Sequence, residues 1–131
     1  MGELVTGFGA YKGIRVIELT EGIAGPYAAR FLADQGADVI KIEPADGDSY
    51  RDEPGFQVFN RNKRSVVLDD DSQLLKTADL VIVGSRDEAD RVRSLTPGAV
   101  IVSMPTWGSA GAMAERSGSW QQVAAATGIG W

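Results

Sequence analysis

The chain contains no cysteine and no histidine in its 131 residues. Without cysteine there is no thiolate nucleophile, no thiolate metal site and no disulfide. Without histidine the commonest general base near neutral pH and the commonest metal ligand are both missing. Ser-His-Asp, Cys-His and zinc-hydrolase chemistries are therefore excluded within this chain. Any reaction must use carboxylates, Lys, Tyr, backbone amides or a bound cofactor. Long apolar runs are also missing: none approaches the roughly 18 residues that suggest a membrane span. Met1-Gly2-Glu3-Leu4 lacks the basic start and apolar stretch of a secretory signal. Lys and Arg number 13 against 18 Asp and Glu, a net charge of -5. That balance is the wrong sign for a phosphate backbone and argues against a nucleic-acid partner. Together these absences lead us to expect a cytoplasmic protein with no membrane or nucleic-acid partner.

What is present has the balance of a globular protein, with 44% hydrophobic and 24% charged residues, and its length suits a single domain over residues 1–131. Five apolar strand candidates appear in order, Arg15–Leu19, Asp38–Glu43, Ser65–Asp69, Asp79–Ser85 and Val100–Pro105. They are β-branched runs without clean alternation, as expected of strands buried on both faces. Helices are expected over Pro26–Gln35, Ser72–Thr77, Arg86–Leu95 and Ser119–Thr127. The alternation predicts an α/β fold, a Rossmann-like doubly wound sheet of about five parallel strands flanked by helices. Right-handed crossovers then lead to the order 3-2-1-4-5, with Arg15–Leu19 central. Pro44 to Arg64 is a long, charged connection with no clear period, of the kind that is often functional. Gly7-Phe8-Gly9 with Gly13 has dinucleotide-site composition but precedes the first strand, so that fingerprint fails on context.

Four motifs admit two readings each. Ala24-Gly25-Pro26 is either a place where a ligand meets the backbone or a tight strand-to-helix turn. Asn60-Arg61-Asn62-Lys63-Arg64 is either a cationic clamp or a solvated charged loop. Asp69-Asp70-Asp71 suits a strand end and helix start better than a divalent-metal cluster, and no metal is expected. Trp107 and Trp120 either stack on a base or supply apolar mass.

Several stretches together resemble the class III CoA-transferases. Lys12-Gly13-Ile14-Arg15-Val16 is similar to the family's "KGIRV" and Ala24-Gly25-Pro26-Tyr27-Ala28 to its "AGPYA". Leu32 to Glu43 resembles "LADLGADVIKIE", and Asn60 to Asp69 resembles "NRGKRSVxLD". The resemblance implies a Rossmann-like domain with CoA or an acyl-CoA as a weakly held ligand and no tightly bound cofactor. Carried onto this chain, it implies contacts from Ala24, Gly25, Pro26, Lys41, Asn60, Lys63 and Arg64. It also implies a homo-oligomer, or a further segment or partner chain, with Trp107, Trp120 and Trp131 partly exposed. In the family an Asp attacks the thioester and forms a mixed anhydride. The resemblance aligns that Asp with Trp120, in the stretch Arg116-Ser117-Gly118-Ser119-Trp120, which leaves no catalytic residue here. Other departures are Ile23 for a polar Gln, Pro44 for an Arg, Asp70-Asp71 for a small residue and Lys, and Val83-Gly84-Ser85 for "ENF". The expected function is a CoA-binding-type domain that is inactive on its own. The alternatives are an interaction module that retains the fold, or a transferase completed by another segment or subunit.

Overall fold

The computed structural model describes residues 9–129, so Gly7, Phe8 and Trp131 lie outside the described residues. The elements run β1 (Arg15–Glu18), α1 (Ala24–Asp34), β2 (Asp38–Glu43), α2 (Phe56–Asn60), β3 (Arg64–Val67), α3 (Ser72–Leu75), β4 (Leu80–Val83), α4 (Arg86–Leu95), β5 (Val100–Ser103) and α5 (Trp120–Ala126). The five strands form one parallel sheet in the order β3-β2-β1-β4-β5. The expected α/β fold class, strand order and central β1 are all present.

The three inner strands are buried on both faces, as their unalternating sequences predict. β3 and β5, expected to be buried alike, are largely exposed because they are the edges of the sheet. Successive side chains point to opposite faces and enter two separate cores. Ile17, Ile40, Val81 and Val83 pack with Leu75 of α3 and with Ala89 and Val92 of α4. Val16, Val39 and Ile82 pack on the other face with Ala29 and Ala33 of α1. Small alanines on α1 let its backbone lie close to the sheet. Gly36, at φ 94°, ends that helix in the left-handed region that glycine tolerates best.

Two differences from the expected elements have plain causes. α1 begins two residues earlier than expected, at Ala24, so Pro26 stands third in the helix. Proline is tolerated there because first-turn N–H groups have no intrahelical partner. The long connection contains α2, which was not expected. With only five residues it is too short to show a period. Phe59 anchors it, meeting the Tyr27 ring at 5.7 Å and the Tyr50 ring at 6.4 Å.

Candidate functional site

The crossovers leave β1 in opposite directions, toward β2 and β3 on one side and toward β4 and β5 on the other. The gap between the carboxyl ends of β1 and β4 is therefore a topological switch point, the usual ligand crevice of an open parallel sheet. A cavity of about 890 Å³ opens there. Its walls come from the turn Thr20–Gly25, Tyr50, Gly84, the segment Ser103–Thr106, and α5 with Trp120, Val123, Ala124, Thr127 and Ile129. A second, smaller cavity of about 220 Å³ adjoins it at Gly84, Pro105 and Thr106 and carries Arg86, Asp87, Glu115 and Arg116.

The turn at the cavity mouth is fixed by two glycines. Gly22 has φ 76°, which a β-carbon disfavours. Gly25 is buried against Thr20, and a β-carbon placed on it would lie 1.9 Å from Thr20 Oγ1. Gly25 is thus required for close packing of the turn. No side chain caps the start of α1, and its first residues, Ala24 and Gly25, line the cavity. The positive end of the helix dipole is directed at that space.

Beside the cavity the carboxyl ends of β1 and β2 are filled by charge. Glu18 and Lys41 are register partners. Both are essentially inaccessible to solvent, at 0% and 1% exposure. Lys41 Nζ stands 3.5 Å from Glu18 Oε1 and 2.7 Å from Asp48 Oδ2, and also donates to the Thr20 carbonyl. Lys63 Nζ donates to Glu18 Oε2 at 2.7 Å, to the Pro26 carbonyl at 2.8 Å and to Asn60 Oδ1 at 3.0 Å. Burial pushes the Lys63 ammonium below the usual lysine value, against the pull of Glu18. Glu43 accepts from the Ser65 hydroxyl, from Arg51 and from the Asp48 N–H. Burial alone would raise its carboxyl, but these hydrogen bonds hold it below the usual carboxylate value. Three carboxylates, Glu18, Glu43 and Asp48, are thus balanced by Lys41, Lys63 and Arg51.

The network also fastens the connection after β2 to the Thr20–Gly25 turn. Asp48 Oδ1 accepts from Gly22 N–H at 3.4 Å and from Tyr50 N–H at 2.7 Å. Glu21 Oε2 accepts from Ser49 N–H at 2.8 Å. Tyr50 is thereby placed on the cavity wall.

Of the residues named as CoA contacts from the resemblance, Ala24 and Gly25 line the cavity. Pro26 offers its carbonyl to Lys63, and Lys41, Lys63 and Asn60 belong to the buried network. Arg64 reaches the opposite, amino-terminal end of the sheet and pairs with Asp38 at 2.5 Å. Trp120 is 65% exposed at the start of α5 and forms part of the cavity wall. Trp107 is half-buried and donates to the Ser117 carbonyl at 3.4 Å. Asp70 accepts from Ser72 N–H at 2.9 Å, and Asp71 pairs with Arg91, so both acids serve the α3–α4 side. Glu18, Asp48, Tyr50 and Met104 were not singled out from sequence. Glu18 and Lys41 did leave a signal: "RVIE" and "DVIK" are charge mirror images on neighbouring strands. Among the described residues, no helix is long and apolar enough to cross a membrane.

Comparison with known proteins agrees with this geometry. The model of CoA-transferase family III matches residues 11–131. Succinate–glutarate CoA-transferase of Agrobacterium fabrum is 33% identical, covering 82% of this chain and 35% of its own length. (R)-2-hydroxy-4-methylpentanoate CoA-transferase of Clostridioides difficile is 29% identical over 82% of this chain and 34% of its own. The crystal structure of Rv3272 from M. tuberculosis, in its orthorhombic form, superposes with a TM-score of 0.82 at 30% identity, covering 92% of this chain and 39% of that one. A CAIB/BAIF family protein from Brucella suis gives 0.81 at 28% identity, covering 94% and 40%. The chain spans about a third of the length of these two curated relatives. With a family match that takes in the whole sheet and the turn at its switch point, this chain belongs to CoA-transferase family III.

Proposed function

We propose that these residues form the CoA-thioester-binding part of a family III CoA-transferase, and that alone they bind a CoA thioester weakly and transfer nothing. The observation that carries the reading is the cavity at the β1–β4 switch point, into which the uncapped start of α1 opens. Its volume lies within the range of about 300–1,000 Å³ common for small-molecule sites. Backbone N–H groups of Ala24 and Gly25 suit a thioester carbonyl, where negative charge develops when a nucleophile adds. The apolar wall suits the neutral pantetheine arm.

Silence in transfer follows from what the wall offers. Exchange of CoA between acids needs a carboxylate free to attack the thioester carbonyl and expel the CoA thiolate. Glu21 is the one carboxylate among the described lining residues. It sits exposed on the β1–α1 turn with its Oε2 accepting from Ser49 N–H, solvated instead of buried against the thioester carbonyl's place at the start of α1. A second reading is favoured by the fraction of each relative that this chain spans. In that reading the attacking carboxylate comes from another segment or subunit, and these residues supply the cradle.

Calorimetric titration with CoA and acetyl-CoA, beside an assay of CoA exchange between acids, tests both parts. The expected result is a Kd above about 10 μM with no exchange. Heat-silent titration up to millimolar CoA would overturn the binding part. Steady exchange by residues 1–131 alone would overturn the silence.

A further inference from the structure

We propose that the acyl group admitted to this cavity is apolar and uncharged, such as an aliphatic chain of medium length, and that Glu21 excludes acyl groups that end in a second carboxylate. The inference rests on reading the cavity as a thioester site and narrows what the thioester carries. Three features of the wall support it. Ile23 on the β1–α1 turn, Met104 after β5, and Trp120, Val123 and Ile129 on the α5 side form an apolar lining. The remaining polar side chains are neutral hydroxyls, and among the described residues no Lys or Arg lines the cavity. With the thioester carbonyl on the N–H groups at the start of α1, a terminal carboxylate reaching the α5 side would give up water and meet no Lys or Arg among the described lining residues.

Glu21 adds a repulsive element to that neutral lining. It is the sole charged group among the described lining residues, and it stands exposed at the rim, where its Oε2 accepts from Ser49 N–H at 2.8 Å. Rejection of a wrong ligand by a fixed like charge is an efficient source of specificity. Arg86 and Arg116 do not offset it, because they line the adjoining polar cavity together with Asp87 and Glu115. Arg86 Nη1 is itself 3.7 Å from Glu115.

The test uses thioesters of N-acetylcysteamine, which carry the acyl group without the CoA nucleotide. Hexanoyl- and succinyl-N-acetylcysteamine are titrated into the protein and followed by tryptophan fluorescence, since Trp120 lies on the wall. Each buried methylene is worth about fourfold in affinity, so the hexanoyl thioester should bind at least about tenfold more tightly. Glu21→Gln keeps an oxygen for Ser49 N–H and removes the charge, and should narrow the gap severalfold by improving succinyl binding alone. Equal affinity, a preference for succinyl, or binding of neither thioester would overturn the proposal. An unchanged gap in Glu21→Gln would overturn the role of Glu21. Loss of CoA binding with the hexanoyl preference intact would strike only the CoA reading above.

Discussion

Two ion pairs join β1 to β2, three residues apart and built from the same kinds of group. At the amino ends, Arg15 Nε meets Asp38 Oδ2 at 2.9 Å with both side chains over a third exposed. At the carboxyl ends, Glu18 meets Lys41 with both side chains shut away from solvent. The first pair sits in water-like surroundings, where Coulomb attraction is screened and the contribution is small. The second lies where desolvation is severe, so each charge depends on its partners. Position relative to solvent, and not the identity of the residues, decides which pair the fold cannot lose.

The strongest way to break that comparison is to remove the buried cation. Lys41→Ala leaves Asp48 buried without its lysine and Glu18 with Lys63 as its one remaining cation. Loss of one partner of a buried pair costs about 3–5 kcal/mol, a large part of the stability of a domain this size. Urea unfolding should show a midpoint far below the wild type, or no folded baseline. A loss under about 1 kcal/mol would show that water reaches the network.

Next in size is Gly25→Ala. The new methyl collides with Thr20, whose hydroxyl donates to Glu18 Oε1 at 2.9 Å. Overpacking of this kind costs about 1–3 kcal/mol. It should also reduce CoA binding, because the displaced turn lines the cavity. Thermal unfolding and calorimetry on the same sample would separate the two effects, and unchanged values in both would remove the packing role assigned to this glycine.

The smallest effect is expected at the exposed end. Arg64→Ala removes one guanidinium from Asp38 and should cost about 0.5 kcal/mol at neutral pH. Burial acts to raise the Asp38 carboxyl, but hydrogen bonds and charge from Arg64 and Arg15 outweigh it and hold the carboxyl below its usual value. A carboxyl lowered by folding adds stability above its unfolded value of about 4 and loses it as the pH falls through the folded value. The penalty of Arg64→Ala should therefore shrink in acid. A penalty that grows below pH 4 would reverse that sign.

The fold was legible because its signals are repeated. Valine and isoleucine fill the three inner strands, and glycine or proline marks the ends of α1 and α4. The site was legible only where backbone geometry speaks through residue type, at Ala24-Gly25-Pro26. Lys41, Lys63 and Arg64 look alike in sequence. Two of them are directed inward by the carboxylates of Glu18 and Asp48, and one outward to Asp38. What separates them is which end of the sheet each side chain reaches: strand register sets this for Lys41 and Arg64, and the loop before β3 sets it for Lys63, and a linear reading supplies neither. The cavity was hidden for a related reason: its walls come from turns and ends of elements far apart in the chain.

α5 has no buried residue, and its start is organised locally, with Ser119 N–H donating to Gln122 Oε1 at 2.9 Å. A segment that adds so little to the core can change its side chains at little cost to folding. Mutational drift on that helix would therefore alter what the cavity accepts while the ionic scaffold beside it stays fixed, so descendants of this chain could diversify in ligand choice without first acquiring extra stability.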